Sequence, residues 1–372
     1  MKEKYVKELQ KCGKMFFVAA TGGGTSFVGD FLKIPGGSQC IIGGYVPYAI
    51  EATNNFVGGK LEKYADANAA RRLAVASYEQ CLKLNVNENN CVGVGVACSL
   101  VKYKERDGRE HHINIAIHTF NQTFGISVVL KKSKMNRAKE ENLVNDLILF
   151  NLTKAFCKPQ IIDREWEIIH QMIYLKNGGE VSTFGEYSRM VGCELYCSEM
   201  EQLKKQEIIV IYPGSFFPLH EGHMEIYHLA HKITELPVFY ELSVTNSYKP
   251  AMDYVDLENR YKQFHATDWL NSVILTKAPR FVDKVNLLKK YFSPKQIIIV
   301  VGADTWERVY DNTAHKNGDI KFFEDNNVKF LVFGRNADIK NQDSVLFIKN
   351  DLALNYNNNI SSTAIRKSQA GA

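Results

Sequence analysis

Short apolar runs alternate with amphipathic stretches along most of the 372 residues. Repeated alternation of strand and helix indicates an α/β fold with a parallel sheet covered by helices on both faces. In the second half, the predicted buried strands are Ile208–Tyr212, Val238–Val244, Val273–Thr276, Gln296–Val301 and Lys329–Phe333. In the first half, the predicted strands are Met15–Ala20, Cys40–Tyr48, Cys91–Ser99, Ile113–His118 and Phe124–Leu130, and the predicted helices are Asp66–Leu84 and Arg137–Phe156.

The chain is too long for one ordinary hydrophobic core, which predicts at least two domains. The pattern places an α/β domain at residues 1–157 and a more regular parallel-sheet domain at residues 207–372. The residues between them, 158–206, are mixed in character, and we expect a helical connector there.

Composition and charge indicate a cytoplasmic protein that binds neither nucleic acid nor a membrane. The net charge of +5 is too small to indicate a polybasic surface that binds nucleic acid or a membrane. Glycine and proline interrupt the long uncharged runs, and the first residues lack the apolar core of a signal peptide. The eight cysteines lie between Cys12 and Cys197, several inside apolar runs, which favours a reducing compartment over a disulfide framework.

A glycine turn between a buried strand and a helix in the second half indicates an anion site. Backbone N–H groups and the positive end of a helix dipole meet there. Two histidines reach the same point, and imidazoles can stabilise charge on a leaving phosphate. They could also be surface residues or, with His228 and His231, bind a metal, although a helix amino terminus repels cations. The residues concerned are Gly214, Ser215, Phe216, His220, Gly222 and His223.

A second candidate phosphate site lies near the carboxyl end. Hydroxyl groups precede a predicted helix, and an arginine follows in its first turns, where it can bind phosphate oxygens bidentately. An ordinary helix cap followed by a solvated arginine is the alternative. These residues are Ser361, Ser362, Thr363 and Arg366, within the run Ile360–Arg366.

The two motifs together resemble the H-x-G-H nucleotidyltransferase superfamily, and the I-S-S-T-x-x-R ending is most similar to nicotinamide or nicotinate mononucleotide adenylyltransferases. The resemblance covers about residues 207–372 and implies a Rossmann-like fold. It implies that His220 and His223 act on the triphosphate and that the hydroxyls and Arg366 hold its outer phosphates. Substrate-binding positions would also include Gly214, Ser215, Phe216, Lys249, Gly302, Asp304 and Trp306, with Arg260 as a second basic candidate and core packing as the alternative for Trp306.

This resemblance implies transfer of AMP from ATP to a mononucleotide, with release of pyrophosphate. The acceptor phosphate is already anionic, so catalysis needs positioning and charge stabilisation, with Mg²⁺ carried on the triphosphate and no protein metal site. Two alternatives stay open: transfer to another phosphorylated acceptor such as phosphopantetheine, also from CTP, or a scaffold that binds nucleotides without turnover.

The first half resembles the CinA carboxy-terminal family, some of whose members deamidate nicotinamide mononucleotide. The resemblance rests on the run from Val18 to Gly58, which includes Ile34–Ser38 and Gly43–Tyr48, and extends more weakly to Phe156. Ala20 stands where that family has its nucleophilic serine, and Thr53 where it has a lysine. The family's glycine-rich loop corresponds to Gly95–Leu100. We therefore expect a non-catalytic domain that serves dimerisation or substrate capture, and a homo-oligomer formed through it. Its Gly22–Gly24 turn could still cradle an anion.

Overall fold

The computed structural model describes residues 2–84, 86–103, 110–130, 135–157, 173–177, 181–182, 195–197, 200–244, 252–265, 273–310, 319–334, 339–358, 360, 362 and 364–366. The chain divides into two compact units. The amino-terminal unit comprises Met1–Gly192 with Tyr248–Asp256, and the carboxy-terminal unit comprises Cys193–Ser247 with Leu257–Ala372. None of the described helices combines the length and apolarity needed to cross a bilayer.

The amino-terminal unit is built on a mixed sheet in the order β2-β1-β3-β4-β5-β6, with β7 paired to β5. Strand β1 runs parallel to β2 and β3, and the later pairs are antiparallel. The strands are β1 Met15–Thr21, β2 Ile41–Tyr45, β3 Cys91–Ser99, β4 His112–Thr119, β5 Thr123–Leu130, β6 Ile173–Asn177 and β7 Val181–Ser182. The helices are α1 Glu3–Leu9, α2 Phe27–Leu32, α3 Ile50–Val57, α4 Ala67–Lys83 and α5 Arg137–Phe156.

Alternate residues of this sheet face two different cores. On one face, Phe16 and Val18 pack with Val144 and Ile148 of α5. On the other face, small residues of the sheet, such as Ala97, meet the alanine-rich side of α4. Both faces of the sheet are therefore covered by helices, as the strand–helix pattern predicts.

The carboxy-terminal unit is a mostly parallel sheet in the order β14-β13-β12-β9-β10-β11-β8, with only β8 antiparallel to its neighbour. Its strands are β8 Leu195–Cys197, β9 Ile208–Pro213, β10 Val238–Ser243, β11 Val273–Thr276, β12 Gln296–Gly302, β13 Val328–Phe333 and β14 Phe347–Ile348. Its helices are α6 Met200–Lys204, α7 Glu221–Thr234, α8 Tyr254–His265, α9 Phe281–Phe292, α10 Ala303–Tyr310, α11 Asp319–Asp325 and α12 Asp351–Leu354, and α8 begins in the amino-terminal unit.

The order of the six parallel strands reverses between β9 and β12. From β9 the sheet grows in one direction through β10 and β11, and in the other through β12, β13 and β14. This is the Rossmann-like order 3-2-1-4-5-6, and ligands of such sheets bind in the crevice at the carboxyl ends of the strands where the order reverses. The residues that follow β9 and β12 begin at Gly214 and Ala303. The fold therefore places the first phosphate motif, which follows β9, and the expected acceptor segment, which follows β12, at this point of the sheet.

The stretch 158–206 differs from the helical connector that the sequence indicates. Its described residues include the strands β6, β7 and β8 and only the short helix α6. Strand β8 pairs with β11, where Tyr196 lies opposite Leu275. A three-residue strand has too short a pattern to be recognised, because its pairing depends on a neighbour distant in sequence.

Candidate active site

The loop after β9 has a shape fixed by packing. The Gly214 N–H donates to the Glu241 carbonyl at 3.0 Å. A Cβ at Gly214 would lie 2.5 Å from the Phe216 ring, so only glycine fits there. Phe216 adopts φ 42°, which is uncommon for a residue other than glycine, and its side chain is buried. Edge-to-face contacts with Tyr240 and Phe264, at 5.0 and 5.7 Å between ring centroids, hold that side chain.

The two histidines of the first motif come together at the start of α7. His220 is the N-cap residue and is buried, and the His223 N–H donates to its carbonyl at 2.9 Å. The two imidazole rings stack with centroids 3.8 Å apart. A Cβ at Gly222 would lie 3.3 Å from the His220 ring, so glycine keeps the space beside that ring open. Both imidazoles therefore stand at the positive end of a fourteen-residue helix.

The second motif binds the loop of the first. The Ser362 hydroxyl donates to the Pro218 carbonyl at 3.0 Å, and the Arg366 guanidinium donates to the Phe217 carbonyl. Arg366 also lies over the Phe217 ring, 6.0 Å from its centroid. The structure thus joins His220, His223, Ser362 and Arg366 through one loop. Three predicted site residues, Lys249, Ser361 and Thr363, lie outside the described residues.

Helix α8 supplies two further contacts to the same loop. Arg260 lies over the Phe217 ring, which Arg366 also contacts, with its guanidinium 4.9 Å from the ring centroid. It also donates to the Ser215 carbonyl at 3.3 Å. Gln263 accepts from the Leu219 N–H at 2.7 Å and donates to the Phe216 carbonyl at 3.3 Å. Sequence reasoning found Arg260 as a basic candidate but missed Gln263, because a glutamine on a helix carries no motif of its own.

The chain before Ile360 is anchored to the first turns of α7. The Tyr356 hydroxyl lies 3.1 Å from the Gly222 carbonyl and 3.1 Å from a Glu225 carboxylate oxygen. The Asn358 side chain donates to the same oxygen at 2.6 Å. These anchors bring the second motif to the first. No sequence signal could have paired them, since Tyr356 and Glu225 are 131 positions apart.

The segment after β12 carries three residues that are predicted from the sequence to lie on the acceptor side, Gly302, Asp304 and Trp306. Gly302 ends β12, and Asp304 is exposed in the first turn of α10, at the reversal point. Trp306, expected as a stacking surface for a flat ring, is fully buried. Its indole N–H donates to the Lys340 carbonyl at 2.9 Å, and its ring packs on Phe330 and Phe347. Trp306 is a core residue because the packed side of α10 points it into the sheet.

A buried ion pair lies at the carboxyl ends of β10 and β11. Lys284 of α9 lies 2.9 Å from a Glu241 carboxylate oxygen, and both side chains are almost inaccessible. The Lys284 ammonium also donates to the Ala278 carbonyl at 2.6 Å and to the Ser243 hydroxyl, while Thr276 donates to Glu241. Because the Glu241 carbonyl also accepts from the Gly214 N–H, this network holds in place the strand β10, to which the start of the loop is hydrogen-bonded.

The donor set of the site suits an anion. It comprises a helix amino terminus, two imidazoles and two guanidiniums, all suited to phosphate oxygens. Among the described residues, no group of three or more His, Cys, Asp or Glu side chains is placed to hold a metal ion. Burial raises the pKa of the Tyr240 phenol above its ordinary value. The hydroxyl of Tyr240, whose ring packs against Phe216 of the loop, therefore stays protonated. Charge stabilisation is the chemistry that this arrangement supports best.

The glycine turn of the amino-terminal unit already binds an anion of the chain itself. A Glu141 carboxylate oxygen accepts from the Thr25 N–H at 2.6 Å, the Thr25 hydroxyl at 2.8 Å and the Ser26 N–H at 3.3 Å. Arg137 donates to the Gly22 carbonyl at 2.8 Å. The expectation that this turn cradles an external anion is therefore wrong for these donors, because α5 brings a carboxylate to them.

In the amino-terminal unit, the positions where the family that it resembles has a serine and a lysine carry no reactive side chain. Ala20 is buried in β1, and Thr53 is buried in α3 with its hydroxyl donating to the Pro47 carbonyl at 2.7 Å. Gly95–Leu100, the run that stands where the family has its glycine-rich loop, lies in strand β3 as far as Ser99, in agreement with the strand predicted at Cys91–Ser99. Burial raises the pKa of the Cys98 thiol there, which leaves the unreactive protonated form.

Part of the carboxy-terminal unit is similar in sequence to known proteins. Residues 211–368 match the family model described as cytidylyltransferase-like. A probable nicotinate-nucleotide adenylyltransferase of Helicobacter pylori is 29% identical over 109 residues, which cover 26% of this chain and 60% of that protein. The chain therefore spans about three fifths of the length of the curated relative that it matches.

Two solved structures show a weak similarity to the chain. A CinA superfamily protein from Klebsiella pneumoniae is 11% identical, with a TM-score of 0.35, over 41% of this chain and 94% of that one. Plasmodium falciparum nicotinic acid mononucleotide adenylyltransferase, complexed with NaAD, is 17% identical, with a TM-score of 0.32, over 43% of this chain and 82% of that one. Residues 211–368 are thus similar to the cytidylyltransferase-like family, and this similarity, together with that to the adenylyltransferase of Helicobacter pylori, supports a nucleotidyltransferase.

Proposed function

We propose that the carboxy-terminal unit transfers an adenylyl group from ATP to nicotinamide or nicotinate mononucleotide and releases pyrophosphate. The observation that carries this proposal is the binding of the second motif to the first through Ser362 and Arg366. Residues 144 positions apart thereby contribute to one cationic site at the point where the strand order reverses. The anionic oxygens of a triphosphate suit such a cationic site.

The geometry supports catalysis by alignment and charge stabilisation. An oxygen of the acceptor phosphate forms a bond to the α-phosphorus of ATP, the bond from that phosphorus to the bridging oxygen breaks, and the electron pair leaves with pyrophosphate. His223 and the N–H groups at the start of α7 would bind the charge that develops on the leaving group. Arg366 would hold the outer phosphates. Mg²⁺ carried by the triphosphate would supply further neutralisation, without a cage of protein ligands.

A pyrophosphate-release screen of the full chain tests this proposal. ATP and CTP are each paired with nicotinamide mononucleotide, nicotinate mononucleotide, phosphopantetheine and choline phosphate. We expect release with ATP and at least one nicotinyl mononucleotide. Release with phosphopantetheine or choline phosphate alone would contradict the acceptor but keep nucleotidyl transfer. If no pair reacts while ATP with Mg²⁺ still raises the melting temperature, the chain is a nucleotide-binding scaffold instead.

The amino-terminal unit should release no ammonia from nicotinamide mononucleotide. A methyl group stands at Ala20, and the buried Thr53 hydroxyl cannot replace a lysine that activates a neighbour. Coupled ammonia detection on the full chain should give the rate of a blank without enzyme, with the variant Ala20→Ser/Thr53→Lys as comparison. Ammonia release by the unmodified chain that persists in a His223→Ala variant and in EDTA would overturn this expectation.

Two further proposals concern the cellular location of the protein and its oligomeric state. We propose a cytosolic location, since Cys91 and Cys98 lie buried in strand β3 as small apolar residues. Homo-oligomerisation through the amino-terminal unit stays a prediction, and sedimentation of the full chain at several concentrations decides it.

A further inference from the structure

The segment before the second phosphate motif is bound to helix α7 by a carboxylate. One oxygen of Glu225 lies 3.1 Å from the Tyr356 hydroxyl and accepts from the Asn358 side-chain amide at 2.6 Å. Glu225 is exposed on α7, whereas Tyr356 is buried with its ring edge-to-face against Phe333, at 5.6 Å between centroids. All four residues belong to the carboxy-terminal unit. One side chain thus connects the helix of the first motif to two residues that lead into the second.

Tyr356 and Asn358 also contact the two motifs themselves. The Tyr356 hydroxyl lies 3.1 Å from the carbonyl of Gly222, which stands between the two histidines of the first motif. The side-chain oxygen of Asn358 accepts at 2.9 Å from the N–H of Ile360, the first residue of the second motif. The Asn358 amide therefore connects Glu225 to the backbone at which the second motif begins.

The other contacts of the second motif use groups that would bind a triphosphate. The Ser362 hydroxyl donates to the Pro218 carbonyl, and the Arg366 guanidinium donates to the Phe217 carbonyl. A hydroxyl has one hydrogen, so Ser362 cannot donate to the Pro218 carbonyl and to a phosphate oxygen at the same time. The contacts made by Glu225 use neither of these donors. They therefore persist when the donors of the motif turn to phosphate.

We propose that Glu225 is a positioning residue for the nucleotidyl transfer proposed above, on which this inference rests. Through Tyr356 and Asn358 it keeps the second motif beside the first while Ser362 donates to the triphosphate. Without this carboxylate, the backbone before the motif must be ordered when ATP binds, and that ordering lowers the affinity for ATP. The expected acceptor segment follows β12 and is not part of this connection. The effect is therefore specific to ATP.

The test uses the full chain with Glu225→Ala, Tyr356→Phe and the double variant, and Glu324→Ala as control. Glu225 is exposed and alanine favours helices, so α7 should persist in its variant. Tyr356→Phe keeps the ring against Phe333 and removes only the hydroxyl. Glu324 is exposed on α11 of the same unit and undergoes the same chemical change as Glu225.

Glu225→Gln is the conservative variant. Tyr356 and Asn358 contact the same oxygen of Glu225, so the single oxygen of a glutamine amide can take its place. The measured quantities are kcat, KM for ATP, KM for the acceptor that reacts, and Kd for ATP with Mg²⁺. Hydrogen exchange of the β12 amides verifies that each variant is folded.

We expect Glu225→Ala to raise KM and Kd for ATP about tenfold, with KM for the acceptor changed less than about twofold. Tyr356→Phe should raise both ATP constants by a smaller factor. The double variant should fall short of the product of the two single effects, because both changes break one connection. Glu225→Gln should stay close to the unmodified chain, and Glu324→Ala should match it.

Unaltered KM and Kd for ATP in Glu225→Ala would overturn the positioning role. An equal rise of KM for ATP and for the acceptor would overturn it too, since a general loss of structure affects both substrates. If the unmodified chain turns over no acceptor, the proposed function fails, and Kd for ATP alone decides this inference. If the unmodified chain binds no ATP, both fail. A Glu225→Ala variant without protected β12 amides leaves the decision to Tyr356→Phe.

Discussion

Replacing His223 by alanine should lower kcat by about a hundredfold or more and change KM for ATP much less. The ring of His223 lies at the positive end of α7, stacked on His220 and beside the loop that the second motif binds. Its interaction with phosphate strengthens as charge develops on the leaving group, so its loss weakens binding of the transition state more than binding of the substrate. Steady-state pyrophosphate release measures both constants.

His228→Ala is the matched control for this experiment. His228 lies on the same helix but is exposed, with its ring against Tyr227. It should keep the kcat of the unmodified chain. Equal kcat values for His223→Ala and the unmodified chain would exclude a role for His223 in charge stabilisation.

Lys284→Met should destabilise the carboxy-terminal unit by about 3–5 kcal/mol, because it leaves the Glu241 carboxylate buried without its cation. The Ser243 hydroxyl and Ala278 carbonyl lose a donor in the same change. Hydrogen exchange of the amides of β10 and β11 gives the free energy of opening of this unit, even if the two units unfold separately.

A surface pair provides the comparison for Lys284. Lys295 lies 2.7 Å from Glu207, and both side chains are at least 70% exposed. Lys295→Met should therefore cost less than about 1 kcal/mol. The double variant Glu241→Gln/Lys284→Met should recover part of the loss, since no buried charge is left. Equal stability of Lys284→Met and Lys295→Met would contradict the importance of burial.

Local patterns in the sequence were sufficient for most of the secondary structure. Cys91–Ser99, Val273–Thr276 and Arg137–Phe156 are found with the predicted bounds, because each is a long or strongly apolar run whose neighbours break the pattern. The first motif was equally visible, since the strand, the glycine turn and the helix that form it are contiguous. Such features need no information about distant residues.

The features that the sequence did not reveal all depend on tertiary contacts. Gln263 and Tyr356 bind the site from positions far along the chain, and neither residue type indicates such a role. The direction in which Trp306 points is decided by the packing of α10 on its sheet, which the local sequence around an aromatic residue does not disclose. The partner of Lys284 is 43 positions away, so no pattern pairs them.

The Glu141 carboxylate affects how a phosphate compound in solution would distribute between two turns of the chain, the one before Thr25 and the one before α7. Because Glu141 is tethered by α5, its effective concentration at the N–H groups of Thr25 and Ser26 is on the order of millimolar or above. A phosphate compound in solution must displace a competitor that never diffuses away. The turn before α7 has no such tethered carboxylate among its described contacts. We therefore expect nucleotides to bind at the turn before α7 rather than at the N–H groups of Thr25 and Ser26.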